Sequence, residues 1–223
     1  MQIAVLSDTH NLLRPEVLAR VRGCDAILHG GDISRQSVLD QLQQLAPVHA
    51  VRGNNDGDWA DLLLFLDITL GGLRLYMAHK KKDLPRDLTA YDLVVYGHSH
   101  QYAEDWQVSP QTGRRQLLLN PGSCGPRRFL QPVTMAMLTI PAEGGWSVSR
   151  IDFPHSAKET APSVGPGIRK QIELVIRETQ KGRSPADIAQ RTGMDAALAE
   201  QIARLYVTHP GVTVDGIMTK MGL

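Results

Sequence analysis

The sequence predicts an α/β protein: two β-sheets packed face to face with helices outside, followed by a small all-α domain. Three observations point to this. Through the first fifty residues, strand-length apolar runs alternate with helical patterns. Beyond residue 65, strands succeed one another with no helical pattern between them. After Phe153, an aperiodic stretch rich in Pro and Gly gives way to purely helical spacing. The expected domains are residues 1–153, a linker over 154–167, and a helical domain over 168–223.

The first strand is Ile3-Ala4-Val5-Leu6, which stops at Ser7-Asp8-Thr9-His10. Pro15 suits a first helical turn, Val17, Leu18 and Val21 form its apolar face, and Gly23 closes the helix. Asp25 to His29 is a second strand, ending in Gly30-Gly31-Asp32. Ser34 is the expected N-cap of a helix reaching about Leu45, with Val38, Leu39 and Leu42 on one face. Pro47 to Val51 is a third strand, ending in Gly53-Asn54-Asn55-Asp56. Gly71-Gly72 turns a hairpin between Leu66–Leu70 and Leu73–Met77, which runs into Ala78-His79 and then Lys80, Lys81 and Lys82. Asp92 to Tyr96 ends in Gly97-His98-Ser99-His100. Four more strands are expected at 103–108, 115–119, 133–140 and 146–153, with Asn120-Pro121-Gly122-Ser123 as a loop. In the last domain, Ile168, Ile172, Val175 and Ile176 share a face, Ser184-Pro185 opens a helix that Gly193 ends, and Asp195 caps another with Leu198, Ile202 and Leu205 inside. A final short helix covers Val214 to Met221.

The chain has 223 residues, 42% hydrophobic and 21% charged, with a formal net charge of +1, so no global bias toward nucleic acid or anionic membrane exists. No apolar run is long enough to span a bilayer, and the N-terminus is expected to enter a core strand directly rather than to carry a secretory leader. Cys24 and Cys124 make no Cys-x-x-Cys pattern. They are expected to be reduced thiols in a cytoplasmic protein; a disulfide between them is the other arrangement the sequence allows.

Asp8, His10, Asp32, Asn54, His79, His98 and His100 all stand at strand ends, most beside a glycine. Each has an ordinary explanation as a turn or core residue. Their conjunction, one set after each strand, is what carries weight. Carboxylate, amide and imidazole without thiolate suit manganese, iron or zinc better than a structural zinc site. Seven ligands exceed one tetrahedral ion. Asp32 shared between two ions resolves the count, and Gly30 and Gly31 leave space around it.

Asp8-x-His10, Gly31-Asp32, Gly53-Asn54-x-Asp56, His79 and Gly97-His98-x-His100, in this order, resemble the motifs of the calcineurin-like metallophosphoesterases. The size and the Asn120-Pro121-Gly122-Ser123 loop most resemble that superfamily's small bacterial and archaeal phosphodiesterases. The resemblance covers roughly residues 1–153. It implies a four-layer αββα sandwich with a dinuclear centre, one ion taking Asp8, His10, Asp32 and His100, the other Asp32, Asn54, His79 and His98. Two divalent ions are expected, manganese first, with iron, nickel or zinc as alternatives. The expected reaction is hydrolysis of a phosphate-ester small molecule or nucleotide by hydroxide formed on the metals, with Asp32 and Asn55 as the catalytic residues. Many members carry His directly after the metal-binding Asn, where it helps protonate the leaving group; here that position is Asn55, which donates a hydrogen bond but no proton. The site is therefore expected either to rely on water for that protonation or to prefer esters whose leaving group is already acidic, and the resemblance together with Asn55 favours diesters over monoesters. The small phosphodiesterases commonly lack this His too.

Asn55, Arg127 and Arg128 are the candidates for holding phosphate. Asp56 and His29 are candidates for orienting the ligands from behind, with turn and core roles as the alternative. Lys80 to Lys82 read as a solvated loop, with steering of an anionic substrate as the other role. A non-enzymatic alternative exists, since the retromer subunit resembling this superfamily uses the fold as a scaffold. Ser184 to Tyr206 has helix-turn-helix spacing, but Asp195, Glu200, Gln201 and Arg204 offer little positive charge for DNA. A helical interaction module, including homo-oligomer formation, is expected instead of DNA binding.

Overall fold

The structure is a computed structural model that describes residues 1–57, 61–108, 113–126, 131–154 and 167–221. Arg127, Arg128 and nearly all of the expected linker lie outside the described residues. The chain divides into two compact units, Met1–Arg127 with Pro132–Pro154, and Arg128–Gln131 with His155–Leu223.

The first unit holds ten strands: β1 (Gln2–Leu6), β2 (Ala26–His29), β3 (Val48–Ala50), β4 (Phe65–Leu70), β5 (Leu73–Ala78), β6 (Leu93–Val95), β7 (Tyr102–Val108), β8 (Arg115–Pro121), β9 (Val133–Thr139) and β10 (Ser147–Phe153). They form two five-stranded mixed sheets, ordered β10-β9-β1-β2-β3 and β4-β5-β6-β8-β7. β1, β2 and β3 run parallel, as do β5, β6 and β8; β9, β10, β4 and β7 pair antiparallel beside them.

Alternation along β1 shows how the layers arise. Ile3 and Val5 point into the core between the sheets with Leu28, Leu75, Met77, Leu93, Leu117 and Leu119. Ala4 and Leu6 point the other way, toward α1 (Pro15–Val21) and α2 (Gln36–Gln43), whose Val17, Val21, Val38 and Leu42 cover that face. Both faces of β1 are thus buried, and its sequence reads as an unbroken apolar run. The outer face of the second sheet (Tyr76, Val94, Tyr96, Leu118) is covered by Tyr91, Leu84 and Leu88, which follow a single 3-10 turn at Lys81–Asp83.

Ser34 departs from the expected capping role. Arg35 occupies the N-cap of α2 without a side-chain bond, while Ser34 adopts φ 73° and gives its N–H to Asp56 Oδ1 at 2.6 Å. The loop after β2 is held by a carboxylate from the loop after β3, so the helix starts one residue later.

The second unit contains α3 (Ile168–Gln180), α4 (Pro185–Thr192), α5 (Ala196–Thr208) and α6 (Val214–Met221). Ser184 accepts from the Asp187 N–H, Asp195 from the Leu198 N–H, and Gly193 ends α4 in the left-handed region at φ 68°. Ile172, Val175, Ile188, Leu198, Ile202, Ile217 and Met221 form its core. Gln131 belongs to this unit as well, donating to the Lys220 carbonyl at 3.0 Å. The division therefore does not follow a single cut in the chain. Among the described residues, no helix is long and apolar enough to cross a membrane.

Candidate metal centre

Parallel strands deliver their C-terminal ends to one edge, and the candidate ligands follow those ends directly. β1 leads to Asp8 and His10, β2 to Asp32, β3 to Asn54, β5 to His79, and β6 to His98 and His100. The register Leu6↔His29 sets the first two loops side by side. Backbone bonds then stitch them together: Asp8 N–H to Gly31 O at 3.0 Å and His10 N–H to Asp32 O at 2.9 Å.

Five of the seven candidates sit in the left-handed region: Asp8 (φ 55°), His10 (43°), Asp32 (57°), His98 (70°) and His100 (61°). This conformation costs a residue with a side chain about 1–2 kcal/mol. Such strain persists only where the surroundings over-determine it, and it clusters at functional sites. Here it swings consecutive strand-end side chains to one point.

The structure gathers two groups, Asp8–His10–His100 and Asp32–His79–His98, each offering one ligand atom per residue within 4.8 Å of the others. His100 Nε2 lies 3.1 Å from Asp8 Oδ1, and His10 Nε2 lies 3.7 Å from it. His79 Nε2 lies 3.4 Å from Asp32 Oδ1. Asp32 also reaches the first group, its Oδ2 being 3.7 Å from His10 Nε2. The Nε2 atoms of His10 and His100 face each other at 3.2 Å.

The donor set fits divalent cations. His79 Nδ1 lies 2.8 Å from the Gly30 carbonyl, so Nδ1 carries the proton in the neutral ring, and the Nε2 lone pair faces a carboxylate. His79 Nε2 and Asp8 Oδ1 are buried and make no hydrogen bond among the described residues. Lone pairs converging in a buried place repel unless a proton or cation sits between them. Burial alone would raise the Asp8 carboxyl, but the imidazoles of His100, His10 and His79 outweigh it and hold it well below the usual range. For Asp32, burial is again outweighed, by His79 and the Asn55 N–H, and its pKa falls to about 2. Burial, with His79 nearby, lowers His98 to about 4. His79 itself is raised: burial opposes this, but Asp32 and Asp8 prevail.

Several supporting bonds could not be read from the sequence pattern, even where the residues stood out. Ser7 Oγ donates to Asp8 Oδ2 at 2.6 Å, and the His98 N–H reaches the same oxygen at 3.0 Å. Asn120, fully buried, donates to Gly97 O at 2.9 Å and Ser99 Oγ at 3.0 Å, and accepts from the Gly122 N–H at 2.9 Å. Ser123 Oγ donates to Asp8 O at 2.8 Å. The Asn-Pro-Gly-Ser segment, whose Asn120 and Pro121 pair as the end of β8 rather than forming the expected loop, thus clamps the backbone on both sides of His98 and beneath Asp8. Gly97 is required by close approach, since a Cβ there would come within 2.7 Å of Asp8 Oδ2. A Cβ on Gly53 would collide with the Asp32 backbone and carboxylate.

The other sequence candidates are placed as follows. Asn54 is exposed at the turn after β3. Asn55 turns onto Asp32, its N–H bonding Oδ1 at 2.8 Å and its Nδ2 donating to Oδ2 at 2.7 Å. Asp56 holds backbone, taking the Ser34 N–H and the Gly53 N–H, and so ties the loops after β2 and β3 together. His29 accepts the Gly31 N–H at 3.2 Å and meets Thr9 Oγ1 at 3.1 Å. It is a buried neutral core residue, its pKa lowered by burial to about 4. Of Lys80 to Lys82, Lys81 and Lys82 are exposed, as a solvated loop requires, with Lys81 Nζ 5.5 Å from the Tyr96 ring centre, while Lys80 is half-buried. Cys24 and Cys124 are free and buried.

Residues 1–143 match the profile of the calcineurin-like phosphoesterase superfamily domain. A probable metallophosphoesterase of Methanocaldococcus jannaschii is 32% identical over 138 residues, 55% of this chain and 68% of that protein. Another probable metallophosphoesterase, from Methanothermobacter thermautotrophicus, is 32% identical over 154 residues, 61% of this chain and 85% of that protein. Among solved structures, a Vps29 variant from Entamoeba histolytica shares the fold with a TM-score of 0.52 at 23% identity, covering 69% of this chain and all of that one. Vacuolar protein sorting 29 from Cryptosporidium parvum gives 0.53 at 15% identity, covering 69% and 98%. Profile, archaeal relatives and shared fold agree: the chain belongs to the calcineurin-like phosphoesterase superfamily.

Proposed function

We propose that this protein hydrolyses phosphate esters, diesters in preference to monoesters, at a paired-cation centre held by Asp8, His10, Asp32 and His100 on one side and Asp32, Asn54, His79 and His98 on the other. Family membership and the two metal-competent groups support metal-dependent phosphoester hydrolysis. The observation that carries the paired centre is Asp32, one carboxylate within 3.4 Å of His79 Nε2 and 3.7 Å of His10 Nε2.

Bound divalent cations supply Lewis-acid charge and lower the pKa of water at such a site. The protein supplies the remainder. Asp8 and Asp32 stay ionised at neutral pH because the imidazoles and the Asn55 N–H favour their charged forms. The Gly30 carbonyl fixes the His79 tautomer, leaving Nε2 to donate its lone pair. Asn55 stands over Asp32 with an amide N–H that can bind a phosphoryl oxygen but cannot protonate a departing alkoxide. That chemistry suits esters whose leaving group needs no acid, and it favours diesters. Arg127 and Arg128 remain part of the proposal as phosphate-holding residues.

The C-terminal helices fit an interaction module better than a DNA reader. The exposed residues of α5 include Glu200, Arg204, Val207 and Thr208, with one cation among them.

The test is to strip the protein with a chelator, reload it with manganese, iron, nickel or zinc, measure bound metal, and assay nitrophenyl phosphate beside bis(nitrophenyl) phosphate. The proposal expects two ions per chain and faster turnover of the diester. One ion per chain, or faster turnover of the monoester, would refute it.

A further inference from the structure

A cleft of about 270 Å³ opens beside the candidate metal centre. Asn54 and His79 line it, together with Arg52, Leu64, Phe65, Lys80 and Asp83. Its position follows from sheet register. Phe65, the first residue of β4, pairs with Ala78 of β5, so it stands one residue from His79. The Arg52 N–H bonds the Leu63 carbonyl at 2.8 Å, drawing the segment before β4 against the loop that carries Asn54.

Two features of the cleft are unusual for a protein surface. Leu64 and Phe65 are 70% and 56% exposed, adjacent, and beside a centre lined by charge. The Phe65 ring is also held rather than loose: it stacks on Tyr76 with centres 5.8 Å apart and planes 11° apart. A ring fixed on one side and exposed on the other is a platform for a flat ligand. Arg52 and half-buried Lys80 bring positive charge to the lining, and Asp83 one negative charge. The volume lies just below the ~300–1,000 Å³ of drug-sized sites, so the cleft takes one ring system with a short substituent.

We propose that this cleft binds an aromatic group carried on one ester arm of the phosphate, stacked on Phe65, making the preferred substrates phosphodiesters with one aromatic arm. The inference rests on the function proposed above, because the cleft shares Asn54 and His79 with the centre and its occupant must be attached to the phosphoryl group held there. A nucleobase and a simple aryl ring are the two sources of that chemistry.

Non-hydrolysable probes separate them. Manganese-loaded protein is titrated calorimetrically with methylphosphonate, phenylphosphonate and a nucleoside whose 5′-phosphate is replaced by a phosphonate, with bound metal and diester turnover measured on the same samples. A ring-bearing probe should bind more tightly than methylphosphonate, and the tighter of the two identifies the arm. Phe65→Ala should reduce that preference about five- to tenfold, in line with loss of one stacking partner. Phe65→Tyr keeps the ring and should keep the preference. Phe65 is largely exposed, so the variants are expected to fold; Leu64→Ser supplies an independent change in the same wall and should reduce the preference as well. No preference for a ring, or a preference that survives Phe65→Ala, overturns this inference while turnover and metal content leave the hydrolytic function standing. Absence of both metal and turnover removes that function, and this inference with it.

Discussion

Replacing Asn120 tests whether the centre is shaped from behind by a residue that touches no candidate ligand. Its side chain is fully buried and makes three hydrogen bonds of 2.9–3.0 Å, to Gly97 O, Ser99 Oγ and the Gly122 N–H. Asn120→Ala removes all three, with unequal consequences. Gly97 O still accepts from the Ser99 N–H at 2.8 Å, so its loss is an ordinary bond of about 1 kcal/mol. The buried Gly122 N–H would be left without its acceptor, which costs about 1–3 kcal/mol. Together these give a destabilisation of about 2–4 kcal/mol, within the 5–15 kcal/mol typical of a domain, so a folded protein remains. Residues 97–99 carry His98, so their release should also weaken metal binding, by about 10- to 100-fold if Asn120 acts as an orienting partner does. Asn120→Asp keeps the acceptor for Gly122 but turns a carboxylate toward the Gly97 carbonyl, and should recover on acidification, when a protonated carboxyl can donate there. Urea unfolding gives the stability and calorimetric manganese titration the affinity. A loss below about 1 kcal/mol with wild-type metal affinity would refute the reasoning.

Two further outcomes are expected. Asp32→Ala and His98→Ala should each abolish diester turnover and lower the metal content measured by elemental analysis, Asp32→Ala the more severely because that carboxylate lies 3.4 Å from His79 Nε2 and 3.7 Å from His10 Nε2; full metal content in Asp32→Ala would contradict the proposed bridging role. His29 is buried and neutral, with a pKa of about 4 against 6.5 when unperturbed. The unfolded chain therefore binds a proton that the folded chain refuses. The stability this provides is fully present above pH 6.5 and is lost as pH falls toward 4, by about 1.4 kcal/mol per unit and about 3 kcal/mol in all. Metal-free His29→Gln should lose correspondingly less stability between pH 7 and pH 5 in urea titrations, and identical pH profiles would contradict the assignment.

Much of the fold was legible because it is local. Ile3 to Leu6 could only be a strand buried on both faces, and Ser184-Pro185 and Asp195 mark helix starts through bonds to their own next turn. The candidate ligands were legible for a related reason: each stands where an apolar run stops, and six of the seven fall into the two groups the structure assembles. Other features depend on residues distant in the chain. Ser34 looked like a cap, but Asp56 takes its N–H from another loop. Asn120 and Ser7 act through side-chain bonds to backbone and carboxylate that leave no periodic trace. His29 and Asp56 hold backbone in place of a ligating imidazole, and the carbonyl of Gly30 does the orienting instead.

The sequence by itself determined which side chains stand at the ends of the strands, because the alternation of apolar runs and breaks is written residue by residue. The resemblance implied their division and the sharing of Asp32; only the tertiary structure decided that Asp8, His10 and His100 meet, that Asp32, His79 and His98 meet, and that Phe65 stands beside His79. Those relations depend on sheet order and register, which bring residues up to ninety positions apart within a few ångströms, as His10 and His100 show at 3.2 Å.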